Sequence, residues 1–174
     1  FYDMVSNYVP AVYYHIPKNA PDSVVQKVLA STKDYDMVLA TAHFIDIRAS
    51  KKYGLTTENS KILAALAKKE NVVLTILGNP FILGKIPELS VCKSLIMGYQ
   101  QSVYTEKIAA QMIFGSISPE GQLPVTINAD FPLGMGTTWS KLDRLSYGVP
   151  ELAGVDRVQL IKGIDSIVGI GLKE

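Results

Sequence analysis

The sequence predicts an α/β fold, a three-layer sandwich built around a mostly parallel sheet. Three observations carry that expectation. Short apolar runs alternate with segments of helical periodicity, the pattern of strand–helix–strand units. One run, Val72–Leu77, is apolar on both faces apart from Thr75, as expected of a strand covered by helices on both sides. The chain has 174 residues, 48% hydrophobic and 19% charged, which is enough apolar material for a core without disulfide or metal staples.

The elements follow in order. Ala11–Ile16 reads as a first strand ended by Pro17. Pro21 and Asp22 open a helix with Val24, Val25, Val28 and Leu29 on one face. Met37–Ala42 is a continuous apolar strand. A polar loop runs from His43 to about Thr57, and its end caps a helix whose apolar face holds Ile62, Leu63, Leu66 and Ala67. Val72–Leu77 is the clearest buried strand and stops at Gly78-Asn79-Pro80, where Gly permits a sharp exit and Pro presets the next segment. Ser94–Met97 reads as another strand, and a helix is expected from about Ser102 to Phe114 with Gly115 just past its end. The turn 118–121 leads into Leu123–Ile127, entered through Pro124, a residue suited to a strand start or a sheet edge.

Beyond residue 128 the pattern changes. Residues 129–174 read as a linker or tail, rich in Gly, Pro, Thr and Ser and holding Trp139, followed by a C-terminal helix. Asp156 and Gln159 have capping-box spacing, and Leu160, Ile161, Ile164, Ile167 and Val168 follow at helical intervals. That helix either docks on the domain of residues 1–128 or opens a further module.

Composition narrows the function classes. A net charge of +1 gives no nucleic-acid footprint and no polybasic membrane surface, and no apolar run reaches membrane-spanning length. Two histidines and one cysteine, far apart, make a zinc site improbable. Cys92 reads as a small buried hydrophobe. Gly134-Met135-Gly136 and Gly169-Ile170-Gly171 do not continue into a dinucleotide fingerprint. Ser90-Val91-Cys92-Lys93 fits an S-x-x-K pattern but lacks its companion K-T-G. No cofactor or metal is implied, and no catalytic residue is assigned.

The loop after Met37–Ala42 is the best candidate site. Ligands of open α/β sheets bind at the C-terminal ends of the strands, where this loop begins. It offers His43, Asp46, Arg48, Lys51, Lys52 and Tyr53. Arg48 could fork onto a carboxylate or a pair of hydroxyls, and His43 could exchange protons near neutral pH. Each could instead tie down the loop's own backbone, the plainer reading for either residue taken singly.

Two motifs, taken together, resemble a known family. Asn71–Leu77 with Gly78-Asn79-Pro80 is similar to a strand and G-N-P turn. Phe114-Gly115 with Ser118-Pro119-Glu120-Gly121-Gln122-Leu123-Pro124-Val125 is similar to an F-G-x-x-x-P-x-G-x-L-P-V signature. In this order they resemble the C-terminal α/β sandwich domain of glycoside hydrolase family 3, over roughly residues 1–127. The resemblance implies a flavodoxin-like sandwich that packs on an N-terminal (β/α)8 barrel of the same protein. The barrel would supply the aspartate nucleophile, and the present chain would shape the sugar-binding cleft.

The β-glucosidase type usually takes its acid/base glutamate from the loop equivalent to residues 43–57. Here no glutamate precedes Glu58. The resemblance therefore leans to the β-N-acetylglucosaminidase branch, whose acid/base pair lies on the barrel. It further implies that the family's first strand is missing before Phe1 and that the protein is periplasmic or secreted. Leu145-Ser146-Tyr147-Gly148-Val149-Pro150-Glu151 and the helix after Asp156 resemble the linker to a downstream serine β-lactamase-like hydrolase module. His43, Asp46 and Arg48 are the expected substrate-binding residues. Two other readings stay open: a free-standing sugar or small-ligand binding module, and a structural spacer between catalytic modules.

Overall fold

A computed structural model describes residues 1–18, 20–44, 46–143 and 145–172. Ile45, inside the candidate loop, and Lys173 and Glu174, at the end of the expected tail, lie outside the described residues. The chain divides into two compact units, Phe1–Arg144 and Leu145–Glu174.

The first unit is a mixed α/β fold. Helix α1 spans Tyr2–Val5 and α2 spans Asp22–Ser31. Strand β1 follows at Val38–His43, then α3 at Thr57–Ala67, β2 at Val72–Leu77, β3 at Leu95–Met97 and α4 at Val103–Ile113. The strands form one sheet in the order β1-β2-β3, with both pairings parallel. Val38 lies opposite Val72, His43 opposite Leu77, and Leu74 opposite Leu95.

Alternation along the strands sorts their side chains into two cores. Val72, Leu74 and Ile76 pack with Leu63, Leu66, Ile82, Leu83, Ile86, Leu89, Leu123 and Phe131, and Val38, Ala40 and Ala42 border the same cluster. Leu39, on the other face of β1, joins Met4, Val5, Ala110 and Phe114. Val72 and Leu74 through Leu77 are all buried, which is why the run is apolar on both sides. Thr75 is the one polar member, and its hydroxyl has no hydrogen-bond partner among the described residues.

The helices start where the sequence supplies caps. Thr56 accepts a hydrogen bond from the Asn59 amide (3.1 Å), and Ser102 accepts one from Thr105 (3.0 Å). Helix α4 ends in a paired motif: Gly115 N–H donates to Met112 O and Ser116 N–H donates to Gln111 O. Gly115 has φ +76°, a conformation that favours glycine. Leu142 then covers it, with its own N–H donating to Gly115 O at 2.7 Å.

Two of the five expected strands do not form. Ala11–Ile16 has no strand partner, and Ala11–His15 are exposed. Its tyrosines find other rings instead: Tyr13 packs on Tyr2 at 5.0 Å, and Tyr14 meets Tyr35 edge-on with their hydroxyls 3.1 Å apart. Leu123–Ile127 spends its backbone bonds locally. Leu123 N–H donates to Met135 O, Gly134 N–H donates back to Leu123 O, and Ile127 N–H donates to Phe131 O. The segment thus folds on the residues that follow it, and Leu123 and Phe131 bury themselves against the larger core.

The second unit contains a short 3-10 turn, Pro150–Ala153, and helix α5, Arg157–Gly171. Asp156 caps α5 by accepting from the Gln159 amide at 2.8 Å, the half of a capping box that its spacing predicted. Its apolar residues recur at helical intervals, and no residue of α5 is buried. Among the described residues no helix is long and apolar enough to cross a membrane.

Candidate functional site

Parallel strands bring their C-terminal ends to one rim of the sheet, so every loop leaving β1, β2 and β3 starts there. Sharp exits require close backbone approach. A Cβ at Gly78 would lie 2.8 Å from Phe44 Cβ and 3.0 Å from Phe44 O, so only glycine lets the loops after β1 and β2 pass each other. Asn79 then accepts a hydrogen bond from Phe81 N–H at 3.0 Å and starts the short 3-10 segment Pro80–Lys85. Gly78-Asn79-Pro80 is architectural in its contacts, and it delivers Phe81 to the rim.

His43 is the last residue of β1. Its Nδ1 stands 3.6 Å from Glu106 Oε1, in the first turn of α4. Partial burial lowers the His43 pKa below its ordinary value, because it disfavours the charged ring. The Glu106 carboxylate pulls the other way. The second Glu106 oxygen accepts a hydrogen bond from the Phe1 nitrogen at 2.9 Å. A carboxylate at a helix start is also favoured by the helix dipole.

Asp46 and Arg48 form a separate unit. Arg48 Nε donates to Asp46 Oδ1 at 2.9 Å, Nη2 donates to Oδ2 at 2.7 Å, and the Arg48 backbone N–H adds a third bond to Oδ1 at 2.9 Å. These bonds hold the Asp46 carboxyl at a pKa of about 2. The guanidinium is exposed and the carboxylate half-buried, so solvent screens the pair and it fixes geometry more than it stabilises the fold. The guanidinium keeps donors beyond the two it gives to Asp46.

The loop next turns tightly through Ala49–Gly54. Lys51 and Tyr53 both donate their amides to Arg48 O, at 3.1 and 3.0 Å. Lys52 (φ 50°) and Tyr53 (φ 59°) sit in the left-handed region, which side-chain-bearing residues seldom adopt. Tyr99 (φ 48°), just past β3, is the third such residue; among the described residues there are no others besides glycines. All three belong to rim loops. Tyr53 stacks on Phe81, with ring centroids 6.1 Å apart and planes 17° from parallel.

The sequence-selected residues therefore separate into two groups. Asp46 and Arg48 bind each other, while His43 pairs with Glu106. The rim partners of His43 and Tyr53, Glu106 and Phe81, are not among the residues the sequence singles out. Glu106 lies far along the chain, and only the packing of α4 on the sheet brings it to β1. Phe81 follows the G-N-P turn directly, and that turn was the available signal.

The rest of the surface offers less chemistry. A concavity at the C-terminal end of α4 is lined by Met112, Ile113, Phe114, Gly115, Trp139 and Leu142, none of them charged. Cys92 is half-buried, and burial pushes its thiol pKa up, away from a reactive thiolate. Among the described residues no group of three or more His, Cys, Asp or Glu is placed to hold a metal ion. No protein-family model, curated protein or solved structure matches this chain.

Proposed function

We propose that this chain is the accessory C-terminal domain of a glycoside hydrolase of the β-N-acetylglucosaminidase or β-glucosidase type. In this reading the α/β fold is a three-layer, flavodoxin-like sandwich. It packs on an N-terminal (β/α)8 barrel and forms one wall of the sugar cleft with the loop from His43 to Tyr53. A serine hydrolase module follows it in the same protein.

The observation that supports the reading best is the state of the rim. It is a polar, built surface at the ligand-binding edge of a parallel sheet, yet its carboxylates are engaged. Retaining glycosidases need two carboxyl groups flanking the scissile bond, one of them a nucleophile. Asp46 is held by Arg48 through three hydrogen bonds, and Glu106 stands 3.6 Å from His43 Nδ1. Such a rim suits recognition more than bond cleavage. The two sequence motifs supply the glycosidase assignment itself.

The test is hydrolysis of aryl N-acetyl-β-glucosaminides and aryl β-glucosides. The 174-residue chain should turn over neither, while a longer protein carrying the barrel should cleave one of them. Metal-independent turnover by the purified 174-residue chain would overturn the proposal.

A further inference from the structure

We propose that Tyr14 and Tyr35 form a modification site, where a peroxide-driven one-electron oxidant joins the two rings into an intrachain dityrosine. The inference is independent of the glycosidase reading.

Geometry selects this pair. The two hydroxyl oxygens are 3.1 Å apart and share a hydrogen bond. The ring centroids lie 6.5 Å apart with the planes at 73°. Dityrosine forms between the ring carbons ortho to each hydroxyl, and a bond between the hydroxyls brings those two edges together. Tyr14 is 47% exposed, so an oxidant reaches it and its ring can turn without disturbing a core. Tyr35 is half-buried and follows the 3-10 turn Thr32–Asp34. Asn71 fixes that turn, because its Nδ2 donates to Tyr35 O at 2.8 Å and to Thr32 O at 3.0 Å. One ring is thus held and the other is adjustable.

The neighbouring aromatic contacts differ in this respect. Tyr2 and Tyr13 have closer centroids, 5.0 Å, but Tyr2 gives its hydroxyl to Ala11 O at 3.3 Å, so the two hydroxyl edges are not joined. Tyr8 stacks on Phe114 and Tyr53 on Phe81, and phenylalanine does not form a phenoxyl radical. The one cysteine, Cys92, is half-buried with its thiol pKa pushed up by that burial, so it offers little thiolate to intercept the oxidant.

The step balances with hydrogen peroxide and a haem peroxidase. The oxidised peroxidase takes one electron and one proton from each phenol. The two tyrosyl radicals couple through a carbon–carbon bond ortho to each hydroxyl. Each coupled carbon then yields its hydrogen as a proton while the ring oxygen regains one, which restores both phenols. The protein loses two hydrogen atoms in total, and one peroxide is reduced to two waters. The link would fasten Ala11–Ile16 to the start of β1. Among the described residues the backbone of 12–16 makes no hydrogen bond, so this segment has the most freedom to lose. Closing the chain between the two rings also restricts the unfolded state.

The experiment treats the 174-residue chain, kept dilute, with peroxidase and limiting hydrogen peroxide. The expected product is a monomer lighter by two hydrogen atoms, with dityrosine fluorescence. Tryptic mapping should join Phe1–Lys18 to Asp34–Arg48, a fragment whose only tyrosine is Tyr35. Tyr14→Phe and Tyr35→Phe should each abolish the joined fragment, and Tyr13→Phe should retain it. All three keep the aromatic ring, and amide spectra check that the fold persists. The linked chain should unfold at a higher urea midpoint, a gain that treated Tyr14→Phe lacks. Absence of the joined fragment overturns the proposal. A joined fragment that survives in Tyr14→Phe overturns it too, as does a product dominated by links between separate chains.

Discussion

Gly98 and Leu77 touch so closely that a single methyl group cannot be placed between them. A Cβ at Gly98 would overlap Leu77 Cδ2 and would lie 2.9 Å from Thr105 Cγ2. Leu77 is fully buried and cannot swing aside. Gly98 N–H also closes the sheet by donating to Ile76 O at 2.8 Å. The turn from β3 into α4 is therefore fitted around an absent side chain. Gly98→Ala should destabilise the first unit by about 1–3 kcal/mol, the usual range for overpacking. Urea unfolding followed by far-UV circular dichroism should show the lower midpoint with an unchanged slope.

Thr75 predicts the opposite sign. Its hydroxyl is buried in the middle of β2 with no partner among the described residues, so it carries an uncompensated desolvation cost. Thr75→Val keeps the shape and removes the polar atom. The variant should be as stable as the parent or more stable by about 1 kcal/mol, read as an equal or higher urea midpoint.

The Asp46–Arg48 pair predicts an acid titration. Asp46 has a pKa of about 2, below its ordinary 3.8, because Arg48 bonds its charged form. The stability it contributes is complete above the ordinary value and is lost as pH falls towards about 2. The contribution is small, because the exposed guanidinium leaves the pair open to solvent screening. Arg48→Gln should move the Asp46 titration back up towards the ordinary value, measurable by carbonyl-detected NMR across the acid range.

His43 behaves differently. Burial lowers its pKa below 6.5, so the unfolded chain binds the proton more readily than the folded one. Any contribution of His43 is therefore complete above pH 6.5 and diminishes as pH drops through the folded-state pKa. Glu106 opposes the shift, so Glu106→Gln should lower the His43 pKa further. Titration of its Hε1 proton measures both values, and a rise in Glu106→Gln would contradict the 3.6 Å pairing.

Asn79→Ala tests the link between the G-N-P turn and the rim. Loss of the bond from Phe81 N–H should cost about 1 kcal/mol and loosen the 3-10 segment that holds the Phe81 ring. Asn79→Asp, which keeps the acceptor, should preserve both stability and the Phe81 ring signals in NMR spectra.

Local chemistry made the middle of the chain legible in sequence. Val72–Leu77 forms with the bounds its apolar run indicates, and Ser102, Gly115 and Asp156 cap or close helices as residues of their types do. The strand readings failed where partners decide. Ala11–Ile16 has strand-like composition, but a strand exists only when a neighbour accepts its backbone, and its tyrosines settle on Tyr2 and Tyr35 instead. Leu123–Ile127 finds its partners a few residues downstream in Phe131–Met135. At the rim, the Asp46–Arg48 pair is local and within reach of sequence reasoning. The His43–Glu106 and Tyr53–Phe81 pairs depend on how distant elements pack, which no spacing rule encodes.

The contact between Leu142 and Gly115 bears on how the chain can be dissected. Leu142 covers the left-handed glycine that ends α4, and its amide bonds to Gly115 O. Before it, Phe131, Gly134 and Met135 hold Ile127 and Leu123 through backbone bonds. A protease or a truncation that cuts shortly after residue 128 would thus strip the cover from Gly115 at the end of α4 and unzip a buried turn. A cut after Asp143 would spare both. Residues 129–143 are thus the clasp that fastens the end of the first unit.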